Sequence, residues 1–264
     1  MTIAGSDPGG GAGLQADLKT FAAMRVHGFS VITAVIAQNS AHVARVAPVE
    51  ADMVALQIET LAAERKPDAL KTGALASAAI VAAVADAIRA LRLPSPVVDP
   101  VMISSSGARL LDTRGERSLR DRLIPLARIV TPNIPEAQVL TGIAIDGPSA
   151  MRTAARSLRR MGARAVVIKG GHPFTTGSNY ARTDRAVDLF YDGRSFVDLA
   201  GARIPGDGAH GTGCAFAAAI AAWLARGADL ETAVRRAKTF VARALRNGFQ
   251  IGAGRTLLDH FCEK

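Results

Sequence analysis

The chain has 264 residues, of which 49% are hydrophobic, and this is enough to bury one sizeable core. Its two cysteines, Cys214 and Cys262, do not make a disulfide framework, and no apolar run reaches the roughly 18–20 residues that a membrane span needs. The formal net charge is +9, but the aromatic content is 5% and the basic residues are mostly dispersed, so we interpret them as solvated helix surface in preference to a nucleic-acid site. The positive field would also favour a polyanionic substrate.

The first segment predicts a strand, a glycine-rich loop and a helix. Residues 2–5 are apolar, residues 8–13 read Pro-Gly-Gly-Gly-Ala-Gly, and Leu14, Leu18 and Phe21 then recur at helical spacing. No Lys-Ser or Lys-Thr follows the glycines, and their spacing is not that of a dinucleotide loop, so neither phosphate motif applies. The loop indicates only a close approach of backbone at the carboxyl end of the first strand.

Strands and helices alternate along most of the chain, which is typical of an open, mostly parallel α/β sheet. The predicted strands are residues 31–37, 69–70, 97–98, 129–130 and 165–168, and the predicted helices are residues 52–65, 77–91, 116–123, 135–140 and 149–161. The apolar run of residues 31–37 predicts a parallel strand buried on both faces. We find no linker and expect a single domain over residues 1–264.

The second half adds an edge hairpin, a polar loop and two helices. Residues 187–191 and 195–199, separated by Asp192-Gly193-Arg194, predict the hairpin. Residues 175–184 form a long polar loop and a candidate flap. Helices are predicted over residues 215–226 and, with Asp229 as N-cap, over residues 229–247.

Residues 211–214, Gly-Thr-Gly-Cys, enter the alanine-rich helix of residues 215–226. A helix start presents unpaired N–H groups and a positive dipole end, so this loop is a candidate anion site in which Gly211 and Gly213 let a phosphate approach the backbone. The same position favours a thiolate at Cys214. The alternative is a tight turn with Cys214 as a small core residue.

Four polar side chains follow predicted strands: Gln38, Asp99, Asn133 and Lys169. In doubly wound sheets ligands bind at the carboxyl ends of the strands, so the set predicts a cleft at one edge. Any one of them alone is more typical of a structural hydrogen bond or a helix cap. Asn133 and Glu136 can orient a hydrated magnesium ion over phosphates, or form a capping box, and both can hold at once.

The motifs together resemble the hydroxymethylpyrimidine/phosphomethylpyrimidine kinases of thiamine biosynthesis, in the ribokinase-like superfamily. They are Ala4-Gly5-Ser6-Asp7, residues 9–13, residues 15–20, Ala37-Gln38-Asn39, residues 99–102, Thr131-Pro132-Asn133 with Glu136, residues 169–172 and residues 210–214. They cover nearly the whole chain in order. The resemblance implies an α/β fold with an open, mostly parallel central sheet flanked by helices on both faces.

The resemblance also implies an activity and a set of site residues. The activity is ATP- and Mg²⁺-dependent phosphorylation of 4-amino-5-hydroxymethyl-2-methylpyrimidine, followed by phosphorylation of the monophosphate. Cys214 is implied as the catalytic residue beside an anion hole of Gly211, Thr212 and Gly213. The implied binding residues are Gln38, Gly5, Ala12, Asp17 and Val101 for the pyrimidine, Lys169, Asn133 and Glu136 for the nucleotide, and Glu136 with Asp99 for the metal.

The sequence and the resemblance also give expectations for the binding partners and the cellular location. We expect the small-molecule pyrimidine and ATP as ligands, no nucleic acid or membrane partner, and, from the resemblance, a homodimer. Residues 1–7 lack the features of a signal peptide, so a cytoplasmic location is expected.

The sequence departs from the family at Gly208-Ala209-His210 and at Ala74, where a larger apolar residue is common. Ala74 leaves room for a wider ring pocket, so a pyridoxal kinase on the same scaffold is the closest alternative, and a non-catalytic binding protein is a second. The Gln38 amide, which both donates and accepts hydrogen bonds, favours an aminopyrimidine.

Overall fold

An eight-stranded sheet forms the centre of the molecule in the computed structural model, which describes residues 1–104, 106–171, 185–204, 209–252 and 254–262. The strand order is β10-β9-β8-β7-β6-β5-β1-β2. The bounds are β1 Thr2–Ala4, β2 Ser30–Ile32, β5 Lys71–Thr72, β6 Val97–Val98, β7 Ile129–Val130, β8 Val166–Ile168, β9 Arg185–Tyr191 and β10 Phe196–Ala202. Strands β1, β2, β5, β6, β7 and β8 run parallel to one another, and β9 and β10 add an antiparallel hairpin at one edge.

Helices cover both faces of this sheet. They are α1 Gly13–Ala23, α2 Ala51–Glu64, α3 Ala78–Ala90, α4 Thr113–Ser118, α5 Ile134–Thr141, α6 Pro148–Arg160, α7 Thr212–Ala225 and α8 Leu230–Arg246. A π-helical turn, Leu119–Leu123, and a 3-10 turn, Ile124–Leu126, continue α4. Helices α2, α3, α5 and α6 contribute to one apolar cluster, and α1, α7 and α8 contribute to the other.

The short central strands are buried on both sides because their side chains alternate between the two clusters. Val98 and Val130 lie in one cluster, whereas their neighbours Val97 and Ile129 lie in the other, and all four are fully buried. The predicted fold class is therefore confirmed.

The prediction of one parallel strand over residues 31–37 is wrong. The chain leaves the central sheet at Thr33, and β3 (Ala34–Gln38) pairs with β4 (Val43–Pro48) in a separate antiparallel sheet. Only one face of β3 is buried, and Val35 on the other face is 59% exposed. Gln38 consequently ends a strand of the small sheet and not of the central one.

Helix boundaries agree with the predicted caps. Asp229 accepts the Thr232 N–H at 2.9 Å, and Gly142 ends α5 in the left-handed conformation with φ 70°. Helix α7, however, begins at Thr212, so Gly213 and Cys214 belong to its first turn and not to a preceding loop.

The predicted edge hairpin is confirmed by β9 and β10, whereas the predicted flap of residues 175–184 lies outside the described residues. Within the described ranges, none of the helices combines the length and the hydropathy required to cross a membrane.

Candidate active site

Asp99, Thr131 and Lys169 follow three neighbouring parallel strands, β6, β7 and β8, and their side chains meet at the carboxyl edge of the sheet. Lys169 Nζ donates to Asp99 Oδ1 at 2.9 Å, and Thr131 Oγ1 donates to the same oxygen at 3.3 Å. Burial lowers the pKa of Lys169, but the negative charges of Asp99 and Glu136 more than offset this and raise it. Lys169 is therefore an ammonium at the edge of the cleft, with 18% of its side chain exposed.

Asn133 and Glu136 form the capping box of α5. The Asn133 side chain accepts the Glu136 N–H at 2.8 Å, and the Glu136 carboxylate accepts the Asn133 N–H at 2.8 Å. The carboxylate also lies close enough to the Met102 backbone N–H, and to the charges of Lys169 and Asp99, to interact with them. Burial raises the pKa of Glu136; the Lys169 ammonium opposes this shift, whereas the like charge of Asp99 adds to it.

The carboxylates of Glu136 and Asp99 suit only one of the ways in which proteins bind magnesium. Among the described residues no group of three or more His, Cys, Asp or Glu side chains surrounds a common point, so an all-protein cage is absent there. Magnesium usually keeps several waters and uses one or two carboxylates together with substrate phosphates. Glu136 and Asp99 would supply that donor set beside the Lys169 ammonium, which already offsets part of their charge.

The first turn of α7, residues 211–214, is called the anion turn here. Gly211 caps it with φ +85°, and the first intrahelical bond runs from the Ala215 N–H to the Gly211 carbonyl at 2.9 Å. The helix thus supplies no acceptor for the N–H groups of Thr212, Gly213 and Cys214. A Cβ at Gly213 would lie 3.1 Å from Lys169 Nζ, so the turn faces the ammonium directly.

Cys214 lies half-buried in this turn, and the backbone N–H of Gly13, the first residue of α1, is near enough to its sulfur to lower the pKa of the thiol slightly. Burial raises the pKa of the thiol to about 11; Lys71 opposes the shift, whereas Asp17 and Asp99 add to it. The prediction of an easily formed thiolate is therefore wrong for the free protein, because desolvation and two carboxylates outweigh the helix dipole.

Beneath the thiol lies a fully buried ion pair between Lys71 and Asp17. Lys71 Nζ is 2.7 Å from Asp17 Oδ2, both side chains are 0% exposed, and Thr2 Oγ1 donates to the same oxygen at 2.6 Å. Burial lowers the pKa of Lys71, but Asp17, Cys214 and Asp99 more than offset this and raise it. Asp17, predicted to bind the pyrimidine, has no surface with which to contact a ligand, and its observed partners are Lys71 and Thr2.

Residues 7–13, called the first glycine loop here, wrap around the Asp7 carboxylate. Asp7 accepts the N–H groups of Gly9 and Gly11 at 3.0 Å and that of Ala12 at 2.7 Å. His210 Nε2 lies 2.9 Å from Asp7 Oδ2. Burial raises the pKa of Asp7, but these hydrogen bonds more than offset it and keep the pKa below its usual value, so the carboxylate is charged.

Two of the predicted ring-binding residues, Gly5 and Val101, lie at a small apolar cluster beside β3. A Cβ at Gly5 would lie 3.1 Å from Ile36 Cδ1 and 3.7 Å from the Cβ atoms of Ala34 and Ala74. Val101 packs against the same cluster. Gln38 is half-buried at the end of β3, where the strand register shifts, and Ala12 is the half-buried N-cap of α1.

The structure thus brings together the anion turn, Lys169, Asp99, Glu136 and Asn133, and places Gly5 and Val101 beside the small sheet. Sequence reasoning missed the roles of Asp7, His210 and Lys71. The available signals were an aspartate opening a glycine loop and a histidine preceding Gly211, but the two residues are 203 positions apart. Lys71 lies in a strand that the sequence analysis placed two residues earlier, at residues 69–70.

Comparison with known proteins gives concordant matches. The family model described as phosphomethylpyrimidine kinase matches residues 7–259. A hydroxymethylpyrimidine/phosphomethylpyrimidine kinase of Bacillus subtilis is 42% identical, covering 100% of this chain and 95% of that protein. A thiamine biosynthesis bifunctional protein of Geobacter sulfurreducens is 44% identical over 98% of this chain, which spans only 51% of that longer protein. An ADP complex of a Bacillus subtilis pyridoxal kinase superposes with a TM-score of 0.87 at 35% identity, covering 98% of this chain and 95% of that one.

Proposed function

The chain belongs to the phosphomethylpyrimidine kinase family, and we propose that it is an ATP-dependent pyrimidine kinase with a ribokinase-like fold. Its first acceptor is the hydroxymethyl group of 4-amino-5-hydroxymethyl-2-methylpyrimidine, and its second is the phosphate of the monophosphate formed in the first step. The observation that carries the proposal is the direct contact between the first glycine loop and the anion turn, where a Cβ at Gly211 would lie 1.8 Å from the Gly11 carbonyl oxygen.

The anion turn and Lys169 are suited to the transferring phosphate. Phosphoryl transfer requires positioning and neutralisation of charge more than covalent chemistry. The N–H groups of Thr212, Gly213 and Cys214 point out of the helix start, where the dipole is positive, and the Lys169 ammonium faces the same turn. Donors fixed in this way stabilise negative charge in the transition state without reorganising.

Asn133, Glu136 and Asp99 are proposed to serve the nucleotide phosphates and the metal. When bound, magnesium supplies charge neutralisation at the phosphates. The hydrogen bond from the Asn133 N–H holds the Glu136 carboxylate in one orientation, so little side-chain entropy is lost when it binds.

Cys214 is proposed to contact the acceptor hydroxyl. Because the pKa of its thiol is about 11, it enters the reaction protonated and its first role is to orient the hydroxymethyl group by hydrogen bonding. A loose transition state develops little charge on the attacking oxygen until late, so a strong base is not required. Gly5, Ala12, Val101 and Gln38 are proposed to surround the ring, and Asp17 contributes by holding Lys71 beneath the thiol.

Pyridoxal is the second candidate acceptor, because the superposed structure is a pyridoxal kinase and the residue beside Gly5 is Ala74, which has a short side chain. The test is kcat/KM of the purified chain for each alcohol with ATP and Mg²⁺, with products identified by mass spectrometry. The proposal requires a higher kcat/KM for the pyrimidine and a diphosphate that appears after the monophosphate. A higher kcat/KM for pyridoxal would overturn the assignment of the substrate.

The proposal extends to a cytoplasmic homodimer. Exposed apolar side chains on β3 and α2, Val35 and Leu56, are each more than half exposed and are suited to a contact between copies. Light scattering of the purified chain tests this part, which requires twice the mass of 27.5 kDa.

A further inference from the structure

The side chains of Asp7 and His210 join the two loops of the proposed site at a buried point. Asp7 is 1% exposed and His210 is 7% exposed. The Asp7 carboxylate accepts three N–H groups of its own loop, and His210 Nε2 adds a fourth contact at 2.9 Å. Since a carboxylate can only accept, Nε2 carries the hydrogen in this contact.

The His210 main chain is held by a different part of the molecule. Its N–H donates to the Thr256 carbonyl at 2.9 Å, and the residue pairs with Leu257 in an isolated parallel bridge. The backbone position of His210 is therefore set by the C-terminal segment, whereas its imidazole extends to the first glycine loop. The next residue, Gly211, opens the anion turn.

The two loops are also in direct backbone contact, and this contact constrains their relative position. A Cβ at Gly211 would lie 1.8 Å from the Gly11 carbonyl oxygen, and a Cβ at Gly11 would lie 2.9 Å from His210 Cδ2. A small rotation of either loop would change where the first glycine loop lies relative to the N–H groups of the anion turn.

We infer that His210 is a positioning residue, whose bond to Asp7 sets the distance between the loop that carries the acceptor alcohol and the turn that carries the phosphate. The inference rests on the proposed function. Displacement by about 1 Å at a reacting centre can cost about 100-fold in rate. Because the displaced groups are aligned in the transition state more than in the bound substrates, the loss falls on kcat.

The test compares four proteins in the pyrimidine kinase assay: the wild type, His210→Leu, His210→Gln and His210→Asn. Glutamine can place an amide N–H near the position of Nε2, whereas asparagine is one methylene shorter and leucine has no donor. We expect kcat to fall about 100-fold in His210→Leu and His210→Asn, with both KM values changed less than about threefold, and most of the lost kcat to return in His210→Gln. His260→Asn, which changes another buried histidine of the C-terminal segment, is the matched control and should keep its kcat.

Melting temperatures separate this role from a purely structural one. A kcat near the wild-type value in folded His210→Leu, or an equal loss in the asparagine and glutamine variants, would overturn the inference. If the leucine variant does not fold, the asparagine–glutamine comparison decides the question. Absence of pyrimidine phosphorylation by the wild type would instead contradict the proposed function, so the two failures are distinguishable.

Discussion

Replacing Lys71 by methionine should destabilise the protein far more than removing a surface charge does. The substitution leaves the Asp17 carboxylate buried, with 0% of its side chain exposed and only the Thr2 hydroxyl still donating to it. Asp17 Oδ1 already lacks a hydrogen-bond partner among the described residues. The Asp17 carboxylate must then either stay charged without a partner or take up a proton, and both outcomes cost free energy.

The size of the stability loss in Lys71→Met follows from the burial of this ion pair. Breaking one partner of a buried ion pair costs about 3–5 kcal/mol, and at about 2–4 °C per kcal/mol for a chain of this size the melting temperature should fall by roughly 6–20 °C. In Lys71→Met/Asp17→Asn no charge is left unpaired and the Thr2 hydroxyl keeps an acceptor. The double variant should therefore recover more than half of the loss.

The assay is urea unfolding of the wild type, both single variants and the double variant, analysed as a double-mutant cycle. Arg65→Met is the control, because Arg65 and Asp68 form an ion pair whose side chains are 71% and 63% exposed, and its loss should cost less than about 1 kcal/mol. If Lys71→Met cost no more than Arg65→Met, or if the two single effects added without coupling, the account of the buried pair would be refuted.

Two further predictions concern pH and thiol reactivity. Burial lowers the pKa of His260 to about 4, and the charge of Lys19 adds to the effect. Histidine in the unfolded chain has a higher pKa and takes up its proton first, so the free energy of unfolding decreases as the pH falls from that higher pKa toward 4. The free energy of unfolding, measured with urea, should decrease between pH 7 and pH 4.5 in both the wild type and His260→Asn. The decrease should be smaller in His260→Asn by about 2–3 kcal/mol, and equal decreases would contradict this prediction. At pH 7.5 Cys214 should react with iodoacetamide at least about 100-fold more slowly than an unhindered cysteine peptide, because its pKa of about 11 leaves little thiolate. Peptide mass spectrometry of Cys214 measures the rate, and labelling at the speed of the peptide would show that the pKa is not raised.

The sequence predicts the central sheet well because its strands are short apolar runs bounded by helices of clear periodicity. The alternation of β and α elements, the Asn133 capping box and the Asp229 cap are local features, and local patterns reveal them. Residues 31–37 show the limit of such patterns. An apolar run does not indicate whether both faces are covered, and here Val35 and Ala37 face solvent in a separate two-stranded sheet.

The electrostatic features of the site were beyond sequence reasoning because they depend on distant contacts and on burial. Lys71 is a lysine in a buried strand, and charged side chains are almost never fully buried unless they are paired; its partner Asp17 is 54 residues away. The position of Cys214 at a helix start predicts a lower pKa, but desolvation and the neighbouring carboxylates reverse the direction. The ligand-binding roles of Gln38, Gly5, Ala12 and Val101 stay predictions.

The most direct test of the central claim, that Cys214 meets the acceptor alcohol beside the anion turn, is a paired measurement on Cys214→Ala. Calorimetry gives the Kd of the pyrimidine, and single-turnover kinetics with saturating ATP and Mg²⁺ give the rate of phosphoryl transfer. We predict a Kd within about threefold of the wild type and a transfer rate lowered by about 100-fold or more. Transfer at a near-normal rate would remove Cys214 from the mechanism and contradict the account.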